Sequence, residues 1–203
     1  MLSTEAKGKS RLTIPKIALT PLLPVTIDWS HGGQDQYRRQ AEMVGSSQGK
    51  NQREGGFPMA KLFTIGFTKK TAEEFFSTLK QARIRCLLDI RLNNSSQLAG
   101  FTKRPDLEYF LKEIGKISYV HVPQLCPTNE LLEGYKNRRM TWQEYEEKFV
   151  ALLKQRRVEE TINRDLLNYG CLLCSEAKPD HCHRRLVGQY LSGRLGNLEI
   201  VHL

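Results

Sequence analysis

The sequence predicts an α/β domain built on a mostly parallel sheet of about five strands flanked by helices. Short apolar runs of strand length alternate with segments of helical periodicity from Met59 to the end of the chain. This alternation is typical of a parallel sheet that helices cover on both faces. The chain has 203 residues, of which 39% are hydrophobic and 26% are charged, so it can bury the core of one ordinary domain.

Five runs are strand candidates, because each is short and mainly apolar, as in strands buried on both faces of a sheet. They are residues 62–66, 84–90, 118–122, 170–174 and 198–202. The carboxyl ends of parallel strands lie along one edge of the sheet, where the ligands of open α/β sheets bind. The residues that follow these runs are therefore candidates for the functional site.

Four segments are helix candidates, because apolar residues recur every three or four positions along them. They are residues 71–82, 105–115, 141–155 and a last helix that begins near Asp180, a good N-cap residue. Thr71 with Glu74, and Thr141 with Glu144, have the spacing of a capping box. The expected buried faces include Leu107, Phe110, Leu111 and Ile114 in the second helix and Leu186, Val187, Tyr190 and Leu191 in the last.

Residues 1–58 differ from the rest of the chain, because turn-forming residues cluster there and no strand or helical period is sustained. We expect an irregular, disordered N-terminal extension over residues 1–58, followed by an α/β domain over residues 59–203. Met59 stands where the pattern changes, so one hypothesis is that it is the natural start of translation. Mass spectrometry of the endogenous N-terminus tests this hypothesis, since a peptide from residues 1–58 would exclude it.

Composition restricts the class of protein further. The formal net charge is +9 and the isoelectric point is near 9.4, which favours anionic partners: a small anionic molecule, a nucleotide or nucleic acid. The most apolar early segment, residues 14–27, contains Lys16 and three prolines, so a membrane-spanning helix is excluded there and no membrane association is expected. Five cysteines without an export signal predict reduced thiols in the cytoplasm.

Chemically active side chains follow the predicted strands. Asp89 and Arg91 end the second strand, and Cys174 and Glu176 end the fourth. Their positions predict that they converge at one edge of the sheet. His121 lies in the third strand, where a lone histidine is more often a packed core residue than a catalytic one.

The tripeptide Cys182-His183-Arg184 opens the last predicted helix. Free N–H groups at a helix N-terminus favour a thiolate and a bound anion alike. We therefore expect Cys182 or Cys174 to be a nucleophile or redox thiol, with His183 or Glu176 as acid or base. Arg91 and Arg184 would hold the anion, and Asp89 is a further candidate for substrate binding. The simpler alternative is that Cys182 packs as a small apolar residue while His183 and Arg184 cap the helix.

A zinc site is a second interpretation of the same cysteines, because Cys171, Cys174, Cys182 and His183 are all of zinc-ligating type. Residues three apart in a strand point to opposite faces, so Cys171 and Cys174 are not expected to share one ion. The remaining version of the zinc interpretation is a partial site of Cys174, Cys182 and His183. We assign no metal from the sequence. Cys174 and Cys182 could also form a reversible redox pair.

Other candidates have simpler explanations. Cys86 lies inside an apolar run and is expected in the core, and Cys126 carries no chemical signal of its own. The basic groups at residues 136–139 and 154–157 each stand at or beyond a helix end, where the helix dipole favours positive charge. A surface for polyanions is the second interpretation of both groups.

The residues resemble a known family. The runs that carry the resemblance are TIGFTKKTAEEFF, LLDIRLNNSSQLAGF, YVHVPQLCPT, CLLCSEAKPDHCHRRLVGQYL and EIVHL. Over residues 60–203 they resemble the domain-of-unknown-function 488 family of small prokaryotic α/β proteins. The D-x-R of that family is matched by Asp89 and Arg91, and its C-x-E to C-H-R signature by Cys174, Glu176, Cys182, His183 and Arg184.

This chain departs from the family pattern at two places. Phe67 stands where family members often have a histidine, and residues 93–97 replace a proline and an arginine. The substrate end of the pocket is therefore expected to differ from that of other members.

Three functions remain open at this point. The first is a thiol-dependent transferase or hydrolase that acts on a phosphate-bearing or nucleotide-like substrate. The second is a nucleic-acid or nucleotide-binding accessory protein without turnover, although the few aromatic residues do not interleave with the basic groups. The third is a metal-binding protein or thiol redox sensor.

Overall fold

A five-stranded parallel sheet forms the centre of the domain. The computed structural model of the chain describes residues 59–95 and 100–203, so the predicted N-terminal extension lies outside the described residues. The strands are β1 (Ala60–Gly66), β2 (Cys86–Asp89), β3 (Ser118–His121), β4 (Gly170–Cys174) and β5 (Leu198–His202), in the order β3-β2-β4-β1-β5. All neighbouring strands run parallel. The predicted α/β class is confirmed.

Helices cover both faces of this sheet. The α-helices are α1 (Ala72–Gln81), α2 (Arg104–Phe110), α3 (Asn129–Lys136), α4 (Trp142–Gln155), α5 (Val158–Thr161) and α6 (His183–Leu195). The helices divide between two separate apolar clusters, one on each face of the sheet. On one face α1 and α2 pack with Leu87 and Leu173. On the other face α3 to α6 pack with Leu88 and Leu172. Neighbouring strand residues thus point to opposite cores, as expected for strands buried on both faces.

The site lies between two neighbouring strands, β2 and β4, whose following segments cross to opposite faces of the sheet. The chain leaves β2 toward α2 on one face and leaves β4 toward α6 on the other. Because β2 and β4 are hydrogen-bonded neighbours, a crevice opens between their carboxyl ends. Ligands of open α/β sheets bind at such a switch point.

Both predicted capping boxes are present. Thr71 accepts a hydrogen bond from the backbone N–H of Glu74 at 3.1 Å, and the Glu74 carboxylate accepts one from the N–H of Thr71 at 2.7 Å. Thr141 and Glu144 repeat the arrangement at the start of α4. These reciprocal bonds satisfy N–H groups that the first helical turn leaves unpaired.

Two local predictions are wrong. The helix expected over residues 105–115 is α-helical only to Phe110 and continues as a π-helical turn, Leu111–Gly115, so Ile114 rotates away from the buried face and is 43% exposed. Asp180 is not the N-cap of α6. That position belongs to Cys182, whose backbone is extended and whose side chain makes no capping hydrogen bond. No helix within residues 59–95 and 100–203 combines the length and apolar character needed to cross a membrane.

Candidate active site

A cysteine and a histidine meet at the end of β4. Cys174 is the last residue of that strand and His183 is the first residue of α6. The Cys174 Sγ lies 3.5 Å from His183 Nδ1, and His183 Nε2 lies 3.0 Å from the carbonyl oxygen of Ile90. A carbonyl can only accept, so Nε2 carries a proton and Nδ1 is left to exchange the thiol proton. This pairing is the geometry of an activated thiol nucleophile.

Cys182 completes a compact group with these two residues. The Sγ atoms of Cys174 and Cys182 and a ring nitrogen of His183 all lie within 4.8 Å of one another, and all three residues are buried. The guanidinium of Arg184 donates to the Cys182 Sγ at 3.5 Å. The two thiols are therefore close enough to influence each other's protonation.

The surroundings make the two thiols unequal. Burial alone would raise the pKa of Cys174, but the hydrogen bond from the Cys182 thiol and the charge of His183 bring it well below its ordinary value. The same hydrogen bond and burial raise the pKa of Cys182. Burial opposes the charged form of His183, but Cys174 outweighs it and raises the pKa of the imidazole. These directions favour an anionic Cys174 beside a cationic His183, with the Cys182 thiol as the hydrogen-bond donor.

The same three residues could hold a metal ion, since their ligand atoms lie within 4.8 Å of one another. Two sulfurs and one imidazole are ligands that suit zinc. Cys171 does not take part, because it lies on the opposite face of β4 among the residues that pack against α1 and α2. The expectation that Cys171 and Cys174 point apart is confirmed.

Arg91 is fixed by a carboxylate two residues earlier. Its guanidinium donates to both oxygens of Asp89, with Nε–Oδ1 at 2.8 Å and Nη2–Oδ2 at 2.6 Å, and also to the carbonyl of Thr102 at 3.0 Å. The Tyr119 hydroxyl donates to Asp89 Oδ2 at 2.8 Å. Asp89 thus positions Arg91. The Arg91 Cζ lies over the ring of Phe67, 5.4 Å from its centroid, and both residues line the cavity.

Arg184 supports the loop that follows β4. Its guanidinium is fully buried and donates to the carbonyl oxygens of Glu176 and Ala177. Neither Arg184 nor Asp89 is among the described residues that line the cavity. The structure therefore places Arg184 behind the site, where it holds the chain between Cys174 and Cys182.

Gly66 makes this support possible. A Cβ atom at residue 66 would lie 1.7 Å from the Glu176 carbonyl oxygen and 2.8 Å from Arg184 Nη1. Only a residue without a side chain lets the loop approach the end of β1 so closely. The side chain of Glu176 itself is exposed and lines the cavity.

A cavity of about 660 Å³ opens over the thiol group. This volume is typical of a small-molecule site. Its lining includes the cations Arg91, Lys136 and Arg138, the aromatic residues Phe67, Tyr135, Trp142 and Tyr145, and the site residues Cys174, Glu176, Cys182 and His183. Trp142 stacks on Tyr145 with ring centroids 5.2 Å apart, so this wall is a rigid aromatic surface.

Lys136 and Arg138 are cavity residues that the sequence did not single out for the site. Both are exposed: Lys136 is the last residue of α3, a helix absent from the predicted elements, and Arg138 lies two residues beyond it. Their only sequence signal is the basic group at residues 136–139.

The second basic group, residues 154–157, has a structural role. Arg156 donates to the carbonyls of Gln124 and Cys126 at 2.9 and 2.6 Å, which holds the turn after β3.

The remaining candidates, His121, Cys126 and Cys86, contact backbone carbonyls or the core. His121 Nε2 lies 3.1 Å from the Arg91 carbonyl oxygen and 3.8 Å from the Cys126 Sγ. Cys126 is buried and donates to the Arg91 carbonyl at 3.4 Å. Cys86 lies in the core, and burial raises the pKa of its thiol to about 12. All five cysteines are free and buried.

The fold and the site together define the class: this is a small α/β protein with a buried cysteine–histidine pair at the switch point of a parallel sheet. The family described as Domain of unknown function DUF488 matches residues 71–191, and the chain belongs to that family. The matched segment contains Asp89, Arg91, Cys174, Glu176, Cys182, His183 and Arg184, whereas Gly66 and Phe67 precede it. The resemblance seen in the sequence is confirmed at the level of the family. No curated protein and no solved structure matches the chain.

Proposed function

We propose that this protein is an enzyme that uses the Cys174 thiolate as a nucleophile on a phosphate-bearing or nucleotide-like substrate. The observation that carries the proposal is the contact between Cys174 Sγ and His183 Nδ1 at 3.5 Å, at the floor of a cavity with three cations. The family description assigns no activity, so the proposal depends on the site alone.

Cys174 rather than Cys182 is the nucleophile in this proposal. The thiolate is the reactive form of cysteine, and the pKa of Cys174 is lowered while that of Cys182 is raised. In the reacting complex, Cys174 Sγ forms a bond to an electrophilic carbon or phosphorus, and the bond to the leaving group breaks. His183 donates its Nδ1 proton to the leaving group, with its ring held by the Ile90 carbonyl. Water or a second acceptor then releases the product, which gives a hydrolase or a transferase.

The cavity supports a small anionic substrate. Arg91 is already oriented by Asp89, which lowers the entropy cost of holding an anion. Lys136 and Arg138 supply further positive charge, while the aromatic wall of Tyr135, Trp142 and Tyr145 accommodates an apolar or planar portion. A concave cavity of this size fits a nucleotide-sized molecule better than a nucleic-acid strand.

Covalent capture tests the enzyme proposal. The reduced full-length protein would be incubated with a panel of activated phosphate esters and nucleotide derivatives, and peptides would be analysed by mass spectrometry. We expect an adduct on Cys174 that is absent in Cys174→Ser and reduced in His183→Gln but kept in Cys182→Ser. Cys86→Ser is the matched control, because that thiol lies in the core. Adducts that form equally in His183→Gln would contradict the role of the histidine.

The non-catalytic alternative makes a different prediction. A nucleic-acid-binding protein would bind oligonucleotides with an affinity that falls steeply as salt rises, because counterions are released from the phosphates. A flat dependence of log K on log salt would remove this alternative. The five free thiols support a reducing compartment, the cytoplasm, as the place where either activity is exercised.

A further inference from the structure

Cys174 and Cys182 form a pair suited to oxidation and reduction. Their Sγ atoms lie within 4.8 Å, and a disulfide requires about 2.05 Å, so a modest side-chain movement joins them. Cys174 is fixed at the end of β4, whereas Cys182 follows a loop and its side chain makes no capping bond. The Cys182 Sγ can therefore turn toward Cys174 without breaking the start of α6.

We propose that the protein reduces hydroperoxides, with Cys174 as the attacking thiol, Cys182 as the resolving thiol and an external dithiol as the reductant. This activity uses the same thiolate as the proposed transferase or hydrolase, but it gives Cys182 a covalent role that the enzyme proposal does not. Both sulfurs line the cavity, which admits a molecule as small as a hydroperoxide.

The first step oxidises Cys174. Its thiolate attacks the terminal oxygen of the hydroperoxide, so that an S–O bond forms and the O–O bond breaks. The alkoxide that leaves takes the Nδ1 proton of His183, which lies 3.5 Å from the Cys174 Sγ, and departs as an alcohol or as water. Sulfur loses two electrons and the peroxide gains them.

The second step joins the two cysteines. Cys182 gives its thiol proton to the now neutral His183, and its thiolate attacks the sulfenic sulfur of Cys174. The S–S bond forms, the S–O bond breaks, and the hydroxide leaves as water with the proton from His183. Arg184 Nη1, 3.5 Å from the Cys182 Sγ, stabilises the thiolate as it develops. An external dithiol then returns two electrons and two protons to the pair.

The other cysteines cannot replace Cys182 in the second step. Cys171 faces the opposite core, and Cys86 is buried in the cluster beneath α3 to α6. Cys126 lies beside His121 and hydrogen-bonds to backbone carbonyls of Arg91 and Val122. A disulfide formed in the native protein should therefore link Cys174 to Cys182 alone.

The test uses the reduced full-length protein and hydrogen peroxide. We expect the wild type to lose two of its five thiols, with a peptide crosslink between Cys174 and Cys182, and to consume peroxide repeatedly when dithiothreitol is present. Cys182→Ser should stop at a sulfenic acid on Cys174 that a dimedone probe traps, and its turnover should be lost. Cys174→Ser should not react, and Cys126→Ser should behave as the wild type.

Three outcomes would overturn the proposal: five thiols retained in the wild type, a crosslink to another cysteine, or bound metal that blocks oxidation until a chelator removes it. The enzyme proposal fails separately. If nucleotide derivatives give no adduct on Cys174 while peroxide still gives the disulfide, only the transferase or hydrolase is excluded. If Cys182→Ser still forms substrate adducts but the wild type forms no disulfide, only the peroxide activity is excluded.

Discussion

Asp89 forms a bidentate ion pair with Arg91, which lies only two residues further along the chain. The carboxylate also accepts the backbone N–H of Arg91 at 3.1 Å, so it fixes both the main chain and the side chain at the end of β2. Asp89 is fully buried and Arg91 is 6% exposed. The Arg91 guanidinium is thus oriented before any ligand binds in the cavity.

We expect Asp89→Asn to destabilise the protein by about 3 kcal/mol, because it leaves a buried guanidinium without its counter-charge. Urea unfolding of both proteins measures the difference in the free energy of unfolding. Tyr119→Phe removes only the hydroxyl that donates to Asp89 and should cost about 1.5 kcal/mol. A loss under about 0.5 kcal/mol for Asp89→Asn, the size of an ordinary surface change, would mean that the pair is not needed for the fold.

Much of the fold could be predicted from the sequence, because the alternation of strand-length runs with helical segments and the period of burial are local signals. The order of the strands in the sheet could not be predicted, since it depends on pairing between distant segments. The strands at residues 170–174 and 198–202 have the predicted limits. Cys174 at the end of β4 lies beside Cys182 and His183 at the start of α6, with ligand atoms within 4.8 Å of one another. The roles of individual arginines could not be predicted. Whether a guanidinium faces a cavity, as in Arg91, or backbone carbonyls, as in Arg184, depends on packing between distant segments.

Short helices and irregular turns were the other limit. The eight-residue α3 is too short to show a clear period, so the position of Lys136 and Arg138 at the cavity remained hidden. The π-helical turn at Leu111–Gly115 changes the face on which Ile114 lies without leaving a mark in the pattern of apolar residues. Asp180 has the residue type of an N-cap, but the loop continues for two residues before the helix begins.

The alkylation of Cys174 should depend on pH in a way that ordinary thiols do not show. Because its pKa is lowered, Cys174 should react with iodoacetamide at a constant rate from pH 8.5 downward, and the rate should fall only when pH passes below the lowered pKa. His183→Gln removes the cation but leaves the hydrogen bond from Cys182, so the pKa of Cys174 should rise and its alkylation at pH 7 should slow. Peptide mapping after timed alkylation measures both rates. A wild-type rate that rises throughout the range from pH 6 to pH 9 would contradict the lowered pKa.

Replacing Gly66 should disturb the site through the backbone. The new methyl group of Gly66→Ala would overlap the Glu176 carbonyl, so the loop and Arg184 must move, at a cost of about 2 kcal/mol or more in the free energy of unfolding. Gly193→Ala is the matched control, because no atom lies within 4 Å of its added carbon and it stands in α6. That change should stabilise the protein by about 0.5 kcal/mol. Equal thermal stability of the two variants would show that the loop does not depend on Gly66.

The two exposed cations at the cavity should contribute to the binding of anionic ligands. Adenosine monophosphate and inorganic phosphate are suitable probes, and isothermal titration calorimetry at two salt concentrations measures their affinity. Because Lys136 and Arg138 are exposed, each charge is worth only a fraction of a kcal/mol, so the double change to glutamine should weaken binding about fivefold at low salt and less at high salt. Arg139→Gln is the matched control, since Arg139 is exposed next to them but does not line the cavity. An equal loss in the Arg139 variant would mean that general surface charge attracts the anion, whereas an unchanged affinity in the double variant would leave Arg91 as the cation that binds it.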